Sequence, residues 1–228
     1  MHQRHIFIAI GTFITLTMLA GCAWFEPKED LPAETLATNG MDLYDRGKYR
    51  RALETFKKLK EGYPFSRFNS LAELKIADSH YHLEEYEEAI FAYQEFQSLH
   101  PQNEAIPYVI YQVGRCYFDR MQSVDRDQAV VRQALDTFIQ LEAQYPQSPY
   151  TEKAKKHIAD CRNSLAGHEM YVGRYYFKTK QFRGAMQRFQ VVLKEYPNAG
   201  FDDEARQYID RCREALDNPS TRQQADSK

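Results

Sequence analysis

The stretch 49-YRRALETFKKLKEGYP-64 decides the fold, because its spacing returns three more times along the chain. In each copy an alanine lies twelve residues before a proline, and an aromatic residue lies eight residues before it. The alanines are Ala52, Ala89, Ala134 and Ala185, the aromatic residues are Phe56, Tyr93, Phe138 and Phe189, and the prolines are Pro64, Pro101, Pro146 and Pro197. One spacing shared by four segments indicates an internal repeat.

Small residues recur upstream of these alanines, at Gly40, Ala77, Gly114 and Gly173, and the first three are spaced by 37 residues. A small residue lets two helices approach closely, an aromatic ring fills the gap one turn on, and proline ends the second helix. The pattern therefore predicts helix–turn–helix hairpins. It resembles the tetratricopeptide repeat, lengthened by a few residues beyond the usual ~34.

The spacing predicts an all-α chain of ten helices in five hairpins, stacked as a right-handed superhelix in which each repeat contacts its neighbours. The predicted helices cover about 33–46, 49–62, 67–83, 86–99, 104–121, 129–144, 149–164, 166–178, 181–195 and 201–216. An insertion of eight residues lies around Gln122–Gln128, between the fifth and sixth helices. The polar tail, 217–228, has no periodicity and is expected to be disordered.

The N-terminus reads as an export signal over residues 1–21. Arg4 precedes an apolar run, Ile6–Leu19, that is shorter than the ~20 residues needed to span a bilayer. The run ends in Leu19-Ala20-Gly21-Cys22, which resembles the lipobox of bacterial lipoproteins. That resemblance implies cleavage before Cys22 and acylation of that residue, with multiple acyl chains anchoring the protein stably. The next residue is Ala23 rather than Asp, and by resemblance to lipoprotein sorting in many Gram-negative bacteria this implies the outer membrane. Residues 22–32 would form a lipidated tether ahead of a repeat domain over 33–216.

Composition and motifs argue against catalysis and against nucleic-acid binding. The 228 residues carry a net charge of only -2, and the export signal also disfavours nucleic acid. The sequence has no glycine-rich phosphate loop, nucleophile elbow or metal-spaced Cys/His cluster. His80 and His82 lie two residues apart, so on a helix they face different directions and cannot chelate a metal together. We therefore expect no enzyme, no metal and no cofactor other than the covalent lipid on Cys22.

Three cysteines, Cys116, Cys161 and Cys212, occupy the same register of the repeat. Export makes disulfides possible, but stacked helices lie about 8–10 Å apart, whereas a disulfide needs Cα atoms within about 7 Å. We expect them to be small buried hydrophobic residues rather than bridged pairs.

The aromatic content is high, with 16 Tyr and 14 Phe, and part of it predicts a binding groove. Four residues after the first three small residues come Tyr44, Tyr81 and Phe118, which would form a ladder along the first helices of the repeats. The neighbouring groove positions are Leu74, Asp78, Tyr108, Tyr111 and Arg115. Such a groove suits an extended peptide with bulky side chains. The alternative, that these rings pack between helices, is equally open at this point.

Charge divides unevenly along the chain. Residues 26–99 hold 15 acidic and 10 basic residues, whereas residues 153–194 hold 10 basic residues against only Asp160 and Glu169. A basic C-terminal half could attract an acidic protein or anionic lipid head groups. A basic face that only meets solvent is the alternative.

The signal, the lipobox and the repeats together resemble the BamD family, lipoproteins of the outer-membrane β-barrel assembly machinery. The motifs that carry the resemblance are Tyr63-Pro64-Phe65, Tyr108-Val109-x-Tyr111-x-x-Gly114, Asp125-Arg126-Asp127, Tyr145-Pro146-x-Ser148-x-Tyr150 and Glu169-Met170-Tyr171-Val172 through Tyr175-Tyr176. The family's inserted segment is longer than the one here, which puts any partner contact made by that segment in doubt.

The resemblance implies a non-catalytic subunit that docks on a BamA-type barrel protein and works beside other assembly lipoproteins. Its N-terminal repeats would receive the C-terminal signals of unfolded outer-membrane proteins, which end in aromatic residues. Its basic C-terminal repeats, with Arg188, Arg183 and Lys180, would hold the barrel protein, and Arg188 matches a family arginine at that interface. The alternative is a tetratricopeptide lipoprotein that serves as a scaffold for another envelope complex, such as a pilus, cell-wall or division complex.

Overall fold

The computed structural model describes residues 31–217, and within them every regular element is an α-helix. The helices are α1 (Ala33–Asp45), α2 (Tyr49–Gly62), α3 (Asn69–His82), α4 (Tyr86–Leu99), α5 (Ile106–Phe118), α6 (Ala129–Gln144), α7 (Pro149–Lys178), α8 (Phe182–Glu195) and α9 (Asp202–Asp217). This confirms the all-α, tetratricopeptide-like repeat. The predicted signal peptide, Cys22, the tether up to residue 30 and the tail from 218 onward lie outside the described residues.

Close contact between a glycine and an aromatic ring fixes three of the hairpins. A Cβ atom placed on Gly114 would stand 2.5 Å from Cε1 of Phe138, and one on Gly40 would stand 2.7 Å from Cε1 of Phe56. Gly173 repeats the arrangement against Phe189, again at 2.5 Å. All three rings are fully buried. The absence of a side chain on the first helix therefore makes room for the ring of the second, as the spacing predicted.

The predicted seventh and eighth helices are one helix, α7, which runs for 30 residues from Pro149 to Lys178. The described nine helices thus form four hairpins and a final helix, α9, rather than five hairpins. The stretch 163–167 contains no proline and no residue with a positive φ, so nothing in the backbone ends the helix there. Gly167 instead gives room to the insertion: a Cβ there would lie 3.1 Å from Cγ1 of Val124.

The inserted segment between α5 and α6 is clasped to α7. Gln128 is 1% exposed, and its amide nitrogen donates to the carbonyls of Ser123 (3.2 Å) and Arg126 (3.0 Å). Its amide oxygen accepts from Ser164 Oγ at 3.1 Å, and His168 Nδ1 lies 2.6 Å from the Val124 carbonyl. These bonds join the segment to the middle of α7.

The hydrophobic core is divided along the stack, as expected where each repeat leans on its neighbours. One cluster surrounds Phe56, a central one surrounds Tyr93 and Phe138, and a third surrounds Phe189. Cys116, Cys161 and Cys212 are buried and unbridged, which confirms the prediction for these residues. Burial raises the pKa of Cys116 and of Cys161 to about 12, so their thiols stay protonated. Within residues 31–217, no helix has the length and apolar character required to cross a bilayer.

Candidate functional site

The buried carboxylate of Asp78 is the centre of the predicted groove. It is 1% exposed and accepts bonds of 2.7 Å from Lys75 Nζ, from the hydroxyl of Tyr93 and from the hydroxyl of Tyr108. Gln112 Nε2 donates to both tyrosine hydroxyls at 3.3 Å. Burial, reinforced by the charge of Asp78, raises the pKa of both tyrosines, so they remain neutral donors. The cluster joins α3, α4 and α5.

Tyr44 brings α1 to this cluster. Lys75 Nζ lies 4.3 Å from the centre of the Tyr44 ring, a cation–π contact. The same ring meets Tyr49 and His82 edge-on, with centroids 5.3 and 5.5 Å away. Burial raises the pKa of Tyr44 above its usual range. The ring is half-buried, so it packs against its neighbours on one side and faces outward on the other.

Tyr81 and Arg115 form a second polar group between α3 and α5. The Tyr81 hydroxyl donates to Asp119 Oδ2 at 2.5 Å and accepts a short bond from Arg115 Nη2. Arg115 Nη2 also lies 3.1 Å from Asp119 Oδ2, and its guanidinium lies over the Tyr81 ring at 5.3 Å. Arg115 Nε is buried and donates to no other group in the described chain. The guanidinium is thus held between the Tyr81 ring and the Asp119 carboxylate.

Phe118, the third residue of the predicted aromatic ladder, packs mainly against interior rings. Its ring centre lies 6.5 Å from that of Phe138 and 4.4 Å from that of His157 on α7. Tyr111 is 8% exposed, and its hydroxyl lies 3.2 Å from His157 Nε2. Burial, and then the charge of Arg115, lowers the pKa of His157, which favours the neutral ring. Tyr150 extends the aromatic surface, with its ring 5.3 Å from that of Tyr108 and 5.7 Å from that of Tyr111.

The predicted partner face lies on α7 and α8. Arg188 Nη1 donates to Glu169 Oε2 at 3.1 Å, and the Glu169 residue is only 8% exposed, whereas the Arg188 side chain is 42% exposed. The hydrogen bond to Glu169 raises the pKa of Arg188, and burial lowers it by less. The pKa therefore lies above its ordinary value. Lys180 and Arg183 are exposed and have no ion-pair partner within residues 31–217. A buried carboxylate therefore holds Arg188 in place on α8.

His80 and His82 make different contacts. His80 Nδ1 lies 2.7 Å from Glu85 Oε2, whereas the His82 ring stacks on Tyr49 with centroids 4.2 Å apart. Arg50 and then His80 hold the pKa of Glu85 below its usual value. In the described part of the chain, no group of three His, Cys, Asp or Glu side chains is placed to hold a metal.

Comparison with known proteins places this architecture in a family. The family model YfiO, described as an outer membrane lipoprotein, matches residues 29–227. The chain belongs to the YfiO family. The outer membrane protein assembly factor BamD of Caulobacter vibrioides is 32% identical over 203 residues, which cover 87% of this chain and 67% of that protein. The protein of the same name from Rickettsia prowazekii is 32% identical over 181 residues, covering 78% of this chain and 72% of its own length.

Among solved structures, a thermophilic tetratricopeptide-repeat protein of Thermus thermophilus is similar to this YfiO-family chain. Its TM-score is 0.44 at 16% sequence identity, and the match covers 79% of this chain and 98% of that one.

In this YfiO-family chain the structure brings most of the predicted groove residues into one connected set. Tyr44, Tyr81, Tyr108, Phe118 and Arg115 are partly exposed, while Asp78 and Tyr111 are buried. Leu74 is partly buried and packs on the edge of the central core. The aromatic residues pack between helices and also reach the surface, so the two readings of the sequence are not exclusive.

Sequence reasoning missed several members of the groove. These are Lys75, Asp119, Tyr150 and His157, together with Lys153, whose Nζ lies 5.1 Å from the centre of the Tyr150 ring. Lys75 carried a local signal, since it lies one helical turn before Asp78. The residues of α7 carried none, because their contact with α5 depends on the stacking of the hairpins.

In the folded YfiO-family chain, acidic residues pair with several of the bases in the C-terminal half and reduce its positive charge. Helix α9 presents Asp202, Asp203 and Glu204 in its first turn, and Arg174 makes two bonds, of 2.9 and 2.8 Å, to Glu204. Of the ten bases in 153–194, four form ion pairs: Lys155, Arg174, Arg188 and Lys194. The same region exposes Tyr171 and Tyr175, at 49% and 60%, which the charge pattern did not reveal.

Proposed function

We propose that this chain is a non-catalytic lipoprotein subunit of the machinery that assembles β-barrel proteins in the outer membrane. The observation that carries the proposal is the extent of the match: the YfiO model covers residues 29–227, and relatives named outer membrane protein assembly factor BamD align over most of the chain. The connected set of partly exposed aromatic and charged residues around Asp78 supports the same role, since such a surface suits capture of a peptide rather than chemistry on a small molecule.

The substrate in this proposal is the C-terminal signal of an unfolded outer-membrane protein, bound along α1, α3 and α5. Outward-facing parts of Tyr44 and Tyr81 offer aromatic contacts, each worth about 0.5–1.5 kcal/mol beyond burial of area. Lys75 and Arg115 lie over these two rings and add positive charge. A segment that ends in aromatic residues and a carboxylate matches that alternation of rings and cations.

The partner in this proposal is a BamA-type barrel protein, bound at the C-terminal repeats, with other assembly lipoproteins in the same complex. The Arg188 side chain is held by Glu169 and is 42% exposed, and an arginine can clamp a partner carboxylate with two parallel bonds. Lys180, in the turn before α8, and Arg183, in its first turn, are exposed and supply further positive charge in the same repeat.

The anchor in this proposal is the lipid on Cys22, which holds the repeats at the periplasmic face of the outer membrane and is the one covalent group required. Substitution Cys22→Ala should release the protein into the soluble periplasmic fraction. Unchanged membrane fractionation of that variant would refute lipidation as the anchor.

The decisive experiment is affinity capture from detergent-solubilised membranes through a tag on this chain. We expect to recover a large β-barrel protein with repeated periplasmic domains. Recovery of a pilus, cell-wall or division complex, without such a barrel protein, would instead support the alternative role as a scaffold for another envelope complex.

A further inference from the structure

A groove of about 860 Å³ lies between α2 and α4, and neither Asp78 nor its hydrogen-bond partners are among its lining residues. Its floor is formed by Ile76 and His80 of α3, and its walls include Lys57, Lys60, Pro64, Phe91 and Ala92. We call it the α2–α4 groove. The floor is buried, whereas Phe91 on the wall is 71% exposed.

Three exposed hydrophobic residues of the first two hairpins break the repeat pattern. Phe91 is 71% exposed, Leu99 is 56% exposed, and Phe65, directly after Pro64, is fully exposed. The other three repeats carry Glu54, Asp136 and Gln187 at the position of Phe91, Gly62, Gln144 and Glu195 at that of Leu99, and Gln102, Gln147 and Asn198 at that of Phe65. The same fold thus accepts polar residues or glycine at all three positions. Of the three, Phe91 lines the groove among the charged residues Lys57, Lys60, Glu87 and Glu88. An exposed apolar wall with charged residues around it indicates a surface that something covers.

The chain itself enters the described structure beside this groove. The Tyr63 hydroxyl donates to the Leu31 carbonyl at 3.1 Å, and Tyr63 directly precedes Pro64 in the groove wall. Seven residues upstream of Leu31 stands Trp24, the one tryptophan of the sequence, followed by Phe25. A chain of six or seven residues reaches at most about 20–25 Å. The end of that segment, Leu31, is hydrogen-bonded to Tyr63, the neighbour of Pro64 in the groove wall.

Charge on the groove wall favours the same occupant. Lys57 is exposed and has no ion-pair partner within residues 31–217, whereas Lys60 is paired with Glu95 at 3.0 Å. Glu26 directly follows the aromatic pair and could meet Lys57 when the rings are in place. Because the segment belongs to the same chain, its effective concentration at the groove is of millimolar order, so a weak contact suffices.

We propose that Trp24 and Phe25 dock in the α2–α4 groove against Phe91, so that residues 22–30 act as a strap rather than as a free tether. The strap fixes how the repeat domain stands relative to Cys22. This docking needs neither the peptide site nor the partner face, so it goes beyond the proposed function and is tested separately from it.

The single tryptophan gives a direct test in the full chain, matured in the cell and purified in detergent. In the native protein we expect Trp24 fluorescence to be shifted to shorter wavelength and protected from acrylamide. Phe91→Asp should shift the emission to longer wavelength and increase quenching. Ile139→Asp changes an exposed residue of α6 (38% exposed) and should do neither. Both variants should keep the native melting temperature, which verifies that they are folded.

A cross-link in the periplasm tests proximity without detergent. Phe25→Cys combined with Glu88→Cys, on the groove wall, should form an intramolecular disulfide that mass spectrometry detects, whereas Phe25→Cys with Ile139→Cys should not. The proposal is overturned if Trp24 emission does not respond to Phe91→Asp and the two cysteine pairs cross-link equally, or if neither pair cross-links. A response of Trp24 to lipid vesicles but not to Phe91→Asp would also overturn it and would place the aromatic pair in the membrane.

Discussion

Gly114 lies so close to Phe138 that a methyl group in place of its hydrogen would stand 2.5 Å from the ring. The contact joins α5 to α6 across the inserted segment, and Gly40 with Phe56 and Gly173 with Phe189 repeat it in other hairpins. A contact of this kind, kept at three points of the stack, makes the absence of a side chain a structural requirement.

The first prediction concerns this contact. Gly114→Ala should destabilise the fold by about 1–3 kcal/mol, because the ring of Phe138 is fully buried and cannot move away. Gly62→Ala is the matched control, since a Cβ there meets nothing within 4 Å, and it should leave stability unchanged or slightly raised. Thermal unfolding followed by circular dichroism measures both. Equal melting temperatures for the two variants would contradict the packing argument.

The second prediction concerns Asp78. Asp78→Ala should cost about 3–5 kcal/mol, because it leaves Lys75 unpaired in a partly buried position and removes the acceptor of two tyrosine hydroxyls. Asp42→Ala removes a carboxylate paired with Arg46 on the surface, where both side chains are at least half exposed, and should have little effect. Urea titration of both variants provides the comparison. A small loss for Asp78→Ala would show that the cluster is not a stabilising centre.

The third prediction separates the rungs of the groove. Tyr44→Ala and Tyr81→Ala should each weaken binding of a synthetic peptide that ends in aromatic residues about tenfold, while the protein stays folded. Phe118→Ala should mainly lower stability, since its ring contacts Phe138 and His157. Tyr175→Ala, at an exposed tyrosine of α7, is the control for peptide titration. If Tyr44→Ala and Tyr81→Ala unfold the chain, the rings serve packing alone.

The fourth prediction tests Arg188 through its positioning residue. Glu169→Gln and Arg188→Ala should both reduce capture of the barrel protein, because the guanidinium needs the carboxylate to hold its orientation. Arg188→Lys should not restore capture, since lysine lacks the forked geometry. Lys155→Ala breaks an exposed ion pair with Glu152 on α7, the helix that carries Glu169, and should leave capture unchanged. If Glu169→Gln captures the barrel protein normally, Arg188 does not need its ion pair with Glu169 in order to bind.

The fifth prediction is a pH dependence of stability that arises at His157. Its pKa in the folded chain lies below the ordinary 6.5, because of burial and then Arg115, with Lys156 acting in the same direction and Asp119 and Asp160 opposing it. As pH falls below 6.5 the unfolded chain therefore takes up the proton first. Stability is complete above that pH and is lost as pH falls toward the folded value.

The variant His157→Phe keeps an aromatic ring stacked on Phe138 and should reduce this loss between pH 7 and 5. A remainder is expected from His82, whose pKa is also lowered, mainly by burial. Urea unfolding at a series of pH values measures the slope. An unchanged slope in His157→Phe would exclude the ring as its source.

Much of the fold was predictable because packing inside a hairpin depends on short spacings. The distance from Gly114 to Ala134 and Phe138 predicts which faces meet, whatever the rest of the chain does. The continuity of α7 across the predicted seventh and eighth helices was not predictable, because the stretch 163–167 could turn or continue with equal ease in the sequence. Contact of Gly167 with Val124, from a segment more than forty residues away, accompanies the continuous helix.

The sequence by itself determined the repeat, the positions of its close contacts, the burial of its cysteines and the aromatic ladder, since each follows from periodicity along single helices. Only the tertiary structure decided which ladder residues lie beneath the surface, how Lys75 and Arg115 lie over the rings of neighbouring helices, and how Glu204 of α9 offsets Arg174. The physical reason is that these contacts join different hairpins. Their geometry depends on how the hairpins stack, and no spacing within one helix records that.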